Sequence, residues 1–309
     1  MKRIFSARDA ALMIGLPLLL PAAWTWPRRA WPRLAHALEG SARRFVSNNR
    51  TDRIPTRMAE ILPDIDGPGA ADAILTELAG EQLVMLMEML RYHRPGRWDP
   101  IIEIEGRERV AQALDNGRGA IFWISPFVHM DIIAKVALKR CGVEFVHLMR
   151  ATHGLSETAF GEAVLNRVMR KPEEAFTLRR EVIDPKNAGL AALHLTRALK
   201  NGGNVWITAA RSMHRNRAKP LRVPFLNGKF NFAPGAAALA LRTEANLLPV
   251  VTLRERKGTY RVVVGPNLND PATYKDGEPT PRRIVHRYAK FVSGYVAEYP
   301  EQWRGWFQL

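Results

Sequence analysis

The chain has 309 residues, 47% of them hydrophobic, and a formal net charge of +16. That length fits one large α/β domain or two small ones with a sizeable core, and the charge points to an anionic partner: nucleic acid, anionic lipid headgroups or a phosphorylated substrate. A single cysteine, Cys141, excludes an internal disulfide and a cysteine-based zinc cluster and allows a reducing compartment.

The first 45 residues differ from the rest. Lys2, Arg3 and Arg8 precede an apolar run from Ala10 to Trp26, interrupted by Pro17 and Pro21. At 17 residues it is short for a straight membrane span, which needs about 20. Trp24, Trp26 and Trp31 gather at its far end, where an aromatic belt lies, and Arg28, Arg29, Arg33, Arg43 and Arg44 follow. The segment reads as a membrane anchor or interfacial helix. A buried N-terminal helix and a cleavable signal peptide are the alternatives, the latter without a convincing small-x-small cleavage site. If the run spans, the larger positive cluster places residues 28 to 309 in the cytoplasm.

Residues 46 to 100 read as helical and connective. Asp64 to Asp72 is a turn and helix start, and Ala73 to Arg91 is amphipathic, with Leu75, Leu78, Met85, Leu86 and Met89 near one face. Beyond residue 100, strand and helix signals alternate. Strands are expected at Ile101 to Ile104, Ala120 to Ile124, Val143 to Met149, Ala175 to Leu178 and Asn204 to Thr208. Leu247 to Leu253 and Tyr260 to Val264 complete them as an antiparallel pair at one edge. Helices are expected at Glu105 to Asn116, from Met130 onward, at Glu157 to Met169, Lys186 to Lys200, Pro234 to Thr243 and Pro281 to Tyr299. The alternation predicts an α/β fold, a sheet covered by helices on both faces, with ligands at the C-terminal ends of the strands.

The stretch Gly117 to Lys135 carries the candidate chemistry. A Gly-Arg-Gly turn leads into the apolar strand, Ser125 and Pro126 stop it, and His129 and Asp131 sit in the turn before the next helix. They are a reasonable pair for acid–base work, with His129 expected at an open turn with few core contacts. Their spacing of two needs a non-helical turn, since such pairs do not face each other on a helix. Arg150 and Arg211 could converge with them at the strand ends. No His/Cys/Asp/Glu spacing suggests a metal, and the Gly-rich pieces at 117–119 and 202–203 precede strands, so no dinucleotide or other cofactor is implied. The basic run Arg211 to Lys219 reads as a solvated loop or a headgroup or phosphate contact, and lacks the interleaved aromatics of a single-strand nucleic-acid platform.

Taken together, the apolar N-terminus with trailing arginines, GRGAIFWIS, Arg150, ALKNGGNVWI, VPFLNGKFNFAPGAAALALRTEANLLPV and the C-terminal YPEQWRGWF resemble the lipid A biosynthesis (lauroyl/myristoyl) acyltransferases, within the lysophospholipid acyltransferase fold. The resemblance implies a glycerolipid-acyltransferase-like mixed sheet over 46–309 with a membrane-associated segment over 1–45. It implies an acyl carrier protein or acyl-CoA donor, a membrane lipid or lipid A-type acceptor, and no nucleic acid. The family's motif is H-x-x-x-x-E/D, whose His takes a proton from the acceptor hydroxyl. Here Pro126 stands at the His position and Asp131 at the acid position. The family's Pro-Asp-x-Asp is replaced by Ala209, Ala210, Arg211 and Ser212. Two readings follow: acyl transfer with His129 in place of the motif His beside Asp131, and a non-catalytic homologue that binds lipid or acyl chains. Arg150, Arg211, Gly228 and Lys229 are the substrate-binding candidates. A basic nucleic-acid-binding protein would explain the charge but not the apolar N-terminus.

Overall fold

The computed structural model describes residues 3–46, 53–96, 98–150, 154–183, 188–209, 219–255, 258–274 and 277–309. A seven-stranded sheet runs in the order β1 (Ile102–Glu105), β9 (Tyr260–Val264), β8 (Asn246–Arg254), β2 (Ala120–Ile124), β5 (Asn204–Thr208), β3 (Phe145–Arg150), β4 (Arg179–Ile183). The five strands from β8 to β4 are parallel. β9 turns antiparallel to β8, and β1 pairs parallel with β9.

β2 lies between β8 and β5, and all five of its residues are buried. A central parallel strand is covered on both faces, which is why AIFWI is an unbroken apolar run without alternation. Ile121 and Trp123 face one core, while Ala120, Phe122 and Ile124 face the other. The first core collects α1 (Ala7–Thr25), α2 (Trp31–Val46), α3 (Ile54–Ala59), α4 (Gly67–Tyr92), α7 (Arg167–Glu174), α8 (Ala188–Lys200), α9 (Gly235–Thr243) and α10 (Pro281–Glu298). The second collects α5 (Arg107–Asp115) and α6 (Lys135–Arg140).

Two expectations shift, and one further element appears. The antiparallel pair β8–β9 is not at the edge, because β1 adds outside β9. The strand expected at Ala175 to Leu178 forms instead at Arg179–Ile183, pairing Arg179 with Val146 and Arg180 with His147. At the sheet's outermost position the exposed side chains are free to be charged, so the apolar signal misplaced the strand. The stretch after Leu221 folds as a hairpin of β6 (Leu221–Phe225) and β7 (Gly228–Phe232), with Leu226 in the left-handed region at its turn.

α1 begins with a capping box in which Ser6 and Asp9 satisfy each other's backbone N–H groups. Leu12, Leu16, Leu19 and Ala23 recur at three- and four-residue spacing and join the first core, whereas Met13, Ile14 and Leu18 are exposed. Asp9 is buried and accepts a hydrogen bond from Thr158 Oγ1 at 2.9 Å; the backbone of Arg3 and Ile4 accepts from Ala159 and Phe160. By length and composition α1 is apolar enough to cross a membrane, yet one face of it is docked on the domain.

Candidate active site at the end of the central strand

Beyond β2 the chain is held by its own C-terminal segment. Val128 N–H donates to the Gln302 carbonyl, Arg304 N–H donates to the Pro126 carbonyl, both at 2.8 Å, and Phe127 bridges to Trp303. Proline is accommodated at 126 because the bond made there uses its carbonyl, not the N–H it lacks. The Gln302 side chain pins the last turn of β8 as well, accepting from Arg254 N–H at 2.8 Å and donating to the Arg254 carbonyl at 2.9 Å. Trp303 packs at 5.2 Å from both Phe225 and Phe230 of the hairpin. The two stretches that carry the strongest sequence resemblance, VPFLNGKFNF and PEQWRGWF, therefore meet each other, and together they fix the 126–128 loop.

His129 emerges from this loop and is 1% exposed. It is not the open turn the sequence suggested. Its Nε2 lies 3.0 Å from Glu81 Oε2 of α4. Glu81 also accepts Arg254 Nε at 2.8 Å and is bound by Arg254 Nη2. Burial works to raise the Glu81 pKa, but the hydrogen bonds from Arg254 and His129 hold it down at about 2, so it is a carboxylate at neutral pH. A carboxylate only accepts, so Nε2 of His129 carries the proton and Nδ1 carries the lone pair. Nδ1 is buried and has no hydrogen-bond partner among the described residues. Burial lowers the His129 pKa, against the attraction of Glu81, and keeps the ring neutral at pH 7.

Asp131 is buried too, but its Oδ2 accepts from Arg304 Nη2 at 2.9 Å. The expected His129–Asp131 pair is thus two separate pairs, His129–Glu81 and Asp131–Arg304. The intervening backbone is a π-helical turn, Met130–Ala134, in which residues two apart point in different directions.

A second buried acid continues the row. Glu88, one heptad after Glu81 on α4, accepts Arg28 Nε at 2.9 Å, Trp98 Nε1 at 2.8 Å and Tyr260 Oη at 2.8 Å. The Tyr260 ring lies 5.3 Å from that of His129, and burial together with Glu88 raises the Tyr260 pKa well above its ordinary value. Glu81 and Glu88 were missed in the sequence, though a signal existed: Leu78, Glu81, Met85 and Glu88 follow the three- and four-residue spacing of a helix's apolar face, where an acid needs a partner.

Of the remaining candidates, Lys229 and Gly228 are described in full. Arg150 closes β3, and its side chain lies outside the described residues, as does all of Arg211. Lys229 lines a cavity with Arg57, Glu60 and Arg222, beside the C-terminal Leu309. Gly228 opens β7 against Ile61, where an added Cβ would come within 3.1 Å of a side-chain carbon. Separately, an apolar cavity of about 280 Å³ lies against β2 and β5, lined by Trp123, Ile207, Ala209, Ala191, Leu195 and Leu239. Thr208 and Ala209 place it near the C-terminal end of β5, the edge of the sheet from which His129 also emerges.

No curated protein matches the chain in a sequence comparison. The family model described as bacterial lipid A biosynthesis acyltransferase matches residues 73–309. That span takes in every strand, the α4 acids, the His129 loop and the C-terminal segment that holds it, and the chain belongs to the bacterial lipid A biosynthesis acyltransferase family.

Proposed function

We propose that the protein transfers a fatty acyl chain from an acyl carrier protein or acyl-CoA to a hydroxyl of a membrane lipid or lipid A-type acceptor, with His129 as general base. The observation that carries this reading is the neutral, buried His129: ionised Glu81 orients it, and its Nδ1 has no hydrogen-bond partner among the described residues. A hydroxyl placed at Nδ1 gives up its proton as its oxygen attacks the thioester carbonyl. The C–S bond then breaks, and the imidazolium returns the proton to the leaving thiolate. Glu81 fixes the tautomer and stabilises the transient charge, the work an orienting acid does for a catalytic histidine. Asp131 acts at one remove, holding Arg304 and with it the loop. The apolar cavity suits an acyl chain. Arg150, Arg211 and Lys229 are proposed contacts for anionic parts of the donor, with Gly228 allowing close backbone approach. The exposed apolar face of α1 and the basic surface suit the cytoplasmic face of the inner membrane.

The test is acyl transfer by purified full-length protein, with acyl carrier protein and CoA thioesters as donors and membrane lipid extract as acceptor. His129→Gln keeps an amide donor for Glu81 and removes the basic nitrogen. It is expected to lower the rate by about 10²-fold or more while the protein stays folded. Transfer at the wild-type rate by this variant excludes His129 as the base.

A further inference from the structure

A cavity of about 300 Å³ opens where the C-terminal end of α1 meets that of α4, lined by Arg28, Arg91, Arg94, Trp98 and Asp99. Its charges do not cancel. Among the described residues, Arg28 is the only one of the three arginines paired to an acid, and that acid, Glu88, is already filled by Arg28, Trp98 and Tyr260. Asp99 is engaged by Arg140 at 2.6 Å. Arg91 spends one nitrogen, Nη1, on the Ala23 and Trp26 carbonyls at the end of α1, at 2.6 and 3.2 Å. Arg94 donates its backbone N–H to the Arg91 carbonyl at 3.1 Å, and its exposed side chain has no hydrogen bond or ion pair among the described residues. Burial, together with the neighbouring Arg28 and Arg94, lowers the Arg91 pKa. Three guanidiniums are therefore crowded around one space with fewer acids than they need. A bound anion would relieve that repulsion, and a phosphate offers the oxygens to engage several planar N–H forks at once.

The cavity's position narrows the source of the anion. Trp26, at the α1 end, is exposed, as are Ile14 and Leu18 along the same helix. An apolar face that ends in a tryptophan and a basic hollow has the profile of a headgroup-level contact. We propose that Arg28, Arg91 and Arg94 form a phosphate-binding site for the headgroup of a membrane phospholipid. The site stands independently of whether the protein turns over. It also touches the candidate active site through Arg28, Glu88 and Tyr260, whose ring neighbours His129.

The experiment is titration calorimetry on the full chain with three soluble probes: dihexanoyl phosphatidic acid, dihexanoyl phosphatidylcholine and inorganic phosphate. Arg94 is the residue to change, because its side chain holds no other hydrogen-bond or ion-pair partner among the described residues. Arg94→Ala is expected to weaken phosphatidic acid binding about tenfold, the size of one charge-assisted hydrogen bond. Arg94→Lys keeps the charge and should recover part of the loss. Arg282→Ala, an exposed arginine on α10, is the control and should bind as wild type. Inorganic phosphate binding with the same sensitivity to Arg94 shows recognition of the phosphate alone. Binding confined to phosphatidic acid shows that the lipid body takes part. Equal binding by Arg94→Ala and Arg282→Ala, or no binding of either phosphate ligand by the wild type, overturns the proposal.

Discussion

Glu81 gathers three donor nitrogens on two oxygens, two from Arg254 and one from His129, in a site where it is almost fully buried. Its ionisation is what makes His129 a defined tautomer, and it ties acid stability to this one cluster. The sign follows from each group. Glu81 has a folded pKa of about 2 against an ordinary 4.5, so the stability it contributes is present above about pH 4.5 and is lost as the pH falls toward 2. His129 is lowered from its ordinary 6.5, so below about pH 6.5 the unfolded chain binds a proton that the folded chain refuses, and stability falls again with falling pH. The melting temperature of the wild type is therefore expected to drop as the pH goes from 7 to 4. His129→Gln should flatten the upper part of that drop, between pH 6.5 and 5, and leave the lower part. Thermal denaturation across the pH range measures both, and a His129→Gln curve that parallels the wild type throughout would remove His129 from the acid response. The buried Lys135 makes a comparable point away from the site. Its ammonium donates to Glu173 at 3.0 Å and lies 3.2 Å from His147 Nδ1. Lys135→Ala breaks this buried ion pair, and a cost of about 3–5 kcal/mol is expected in denaturant unfolding.

At the scale of elements, the C-terminal segment matters more to the site than its place in the chain suggests. The 126–128 loop takes its backbone partners outside its own turn from Gln302, Trp303 and Arg304 among the described residues. Gln302 is the link between that segment and β8, because its amide satisfies both the N–H and the C=O of Arg254. Gln302→Ala leaves both of these groups without the partner that pins them. Loss of about 1–3 kcal/mol in denaturant unfolding is expected. Because Arg254 also holds Glu81, a fall in transfer should accompany it. Full stability in this variant would mean that the end of β8 is held by something else.

For the whole molecule, the distribution of apolar and basic surface is what supports the proposed membrane association. α1 buries Leu12, Leu16, Leu19 and Ala23 in the first core and turns Met13, Ile14 and Leu18 outward, while the chain as a whole carries a net charge of +16. In the membrane-bound state proposed above, burial of apolar side chains in the acyl region and attraction to anionic headgroups would act together, each screened or weakened by different means. Ile14→Glu combined with Leu18→Glu changes only the outward face, so the fold should survive. The variant is expected to shift from the membrane pellet to the soluble fraction at moderate salt, where the wild type stays in the pellet. Wild-type protein recovered wholly in the soluble fraction at moderate salt would end the membrane reading.

Much of this protein is legible in its residues taken in order. The strand AIFWI, the strand Asn204–Thr208, the small-residue helix after Pro234 and the last helix follow from local pattern, because a buried strand and an amphipathic helix each write their period directly into the chain. The family, too, was readable from stretches such as PEQW and VPFLNGKFNF, since those residues contact one another and so are constrained as a set. The partner of His129 was not readable. Asp131 was the nearest acid in sequence, but a π-helical turn sends it to Arg304. The acid that reaches the imidazole comes from α4, 48 residues earlier, and the arginine that keeps that acid ionised comes from the end of β8. Hydrogen bonds of that range depend on where the sheet places the ends of its strands and on which face of α4 lies over them. Only the packed tertiary structure decides those two things, because no local preference of the backbone encodes which distant polar groups will share a buried site.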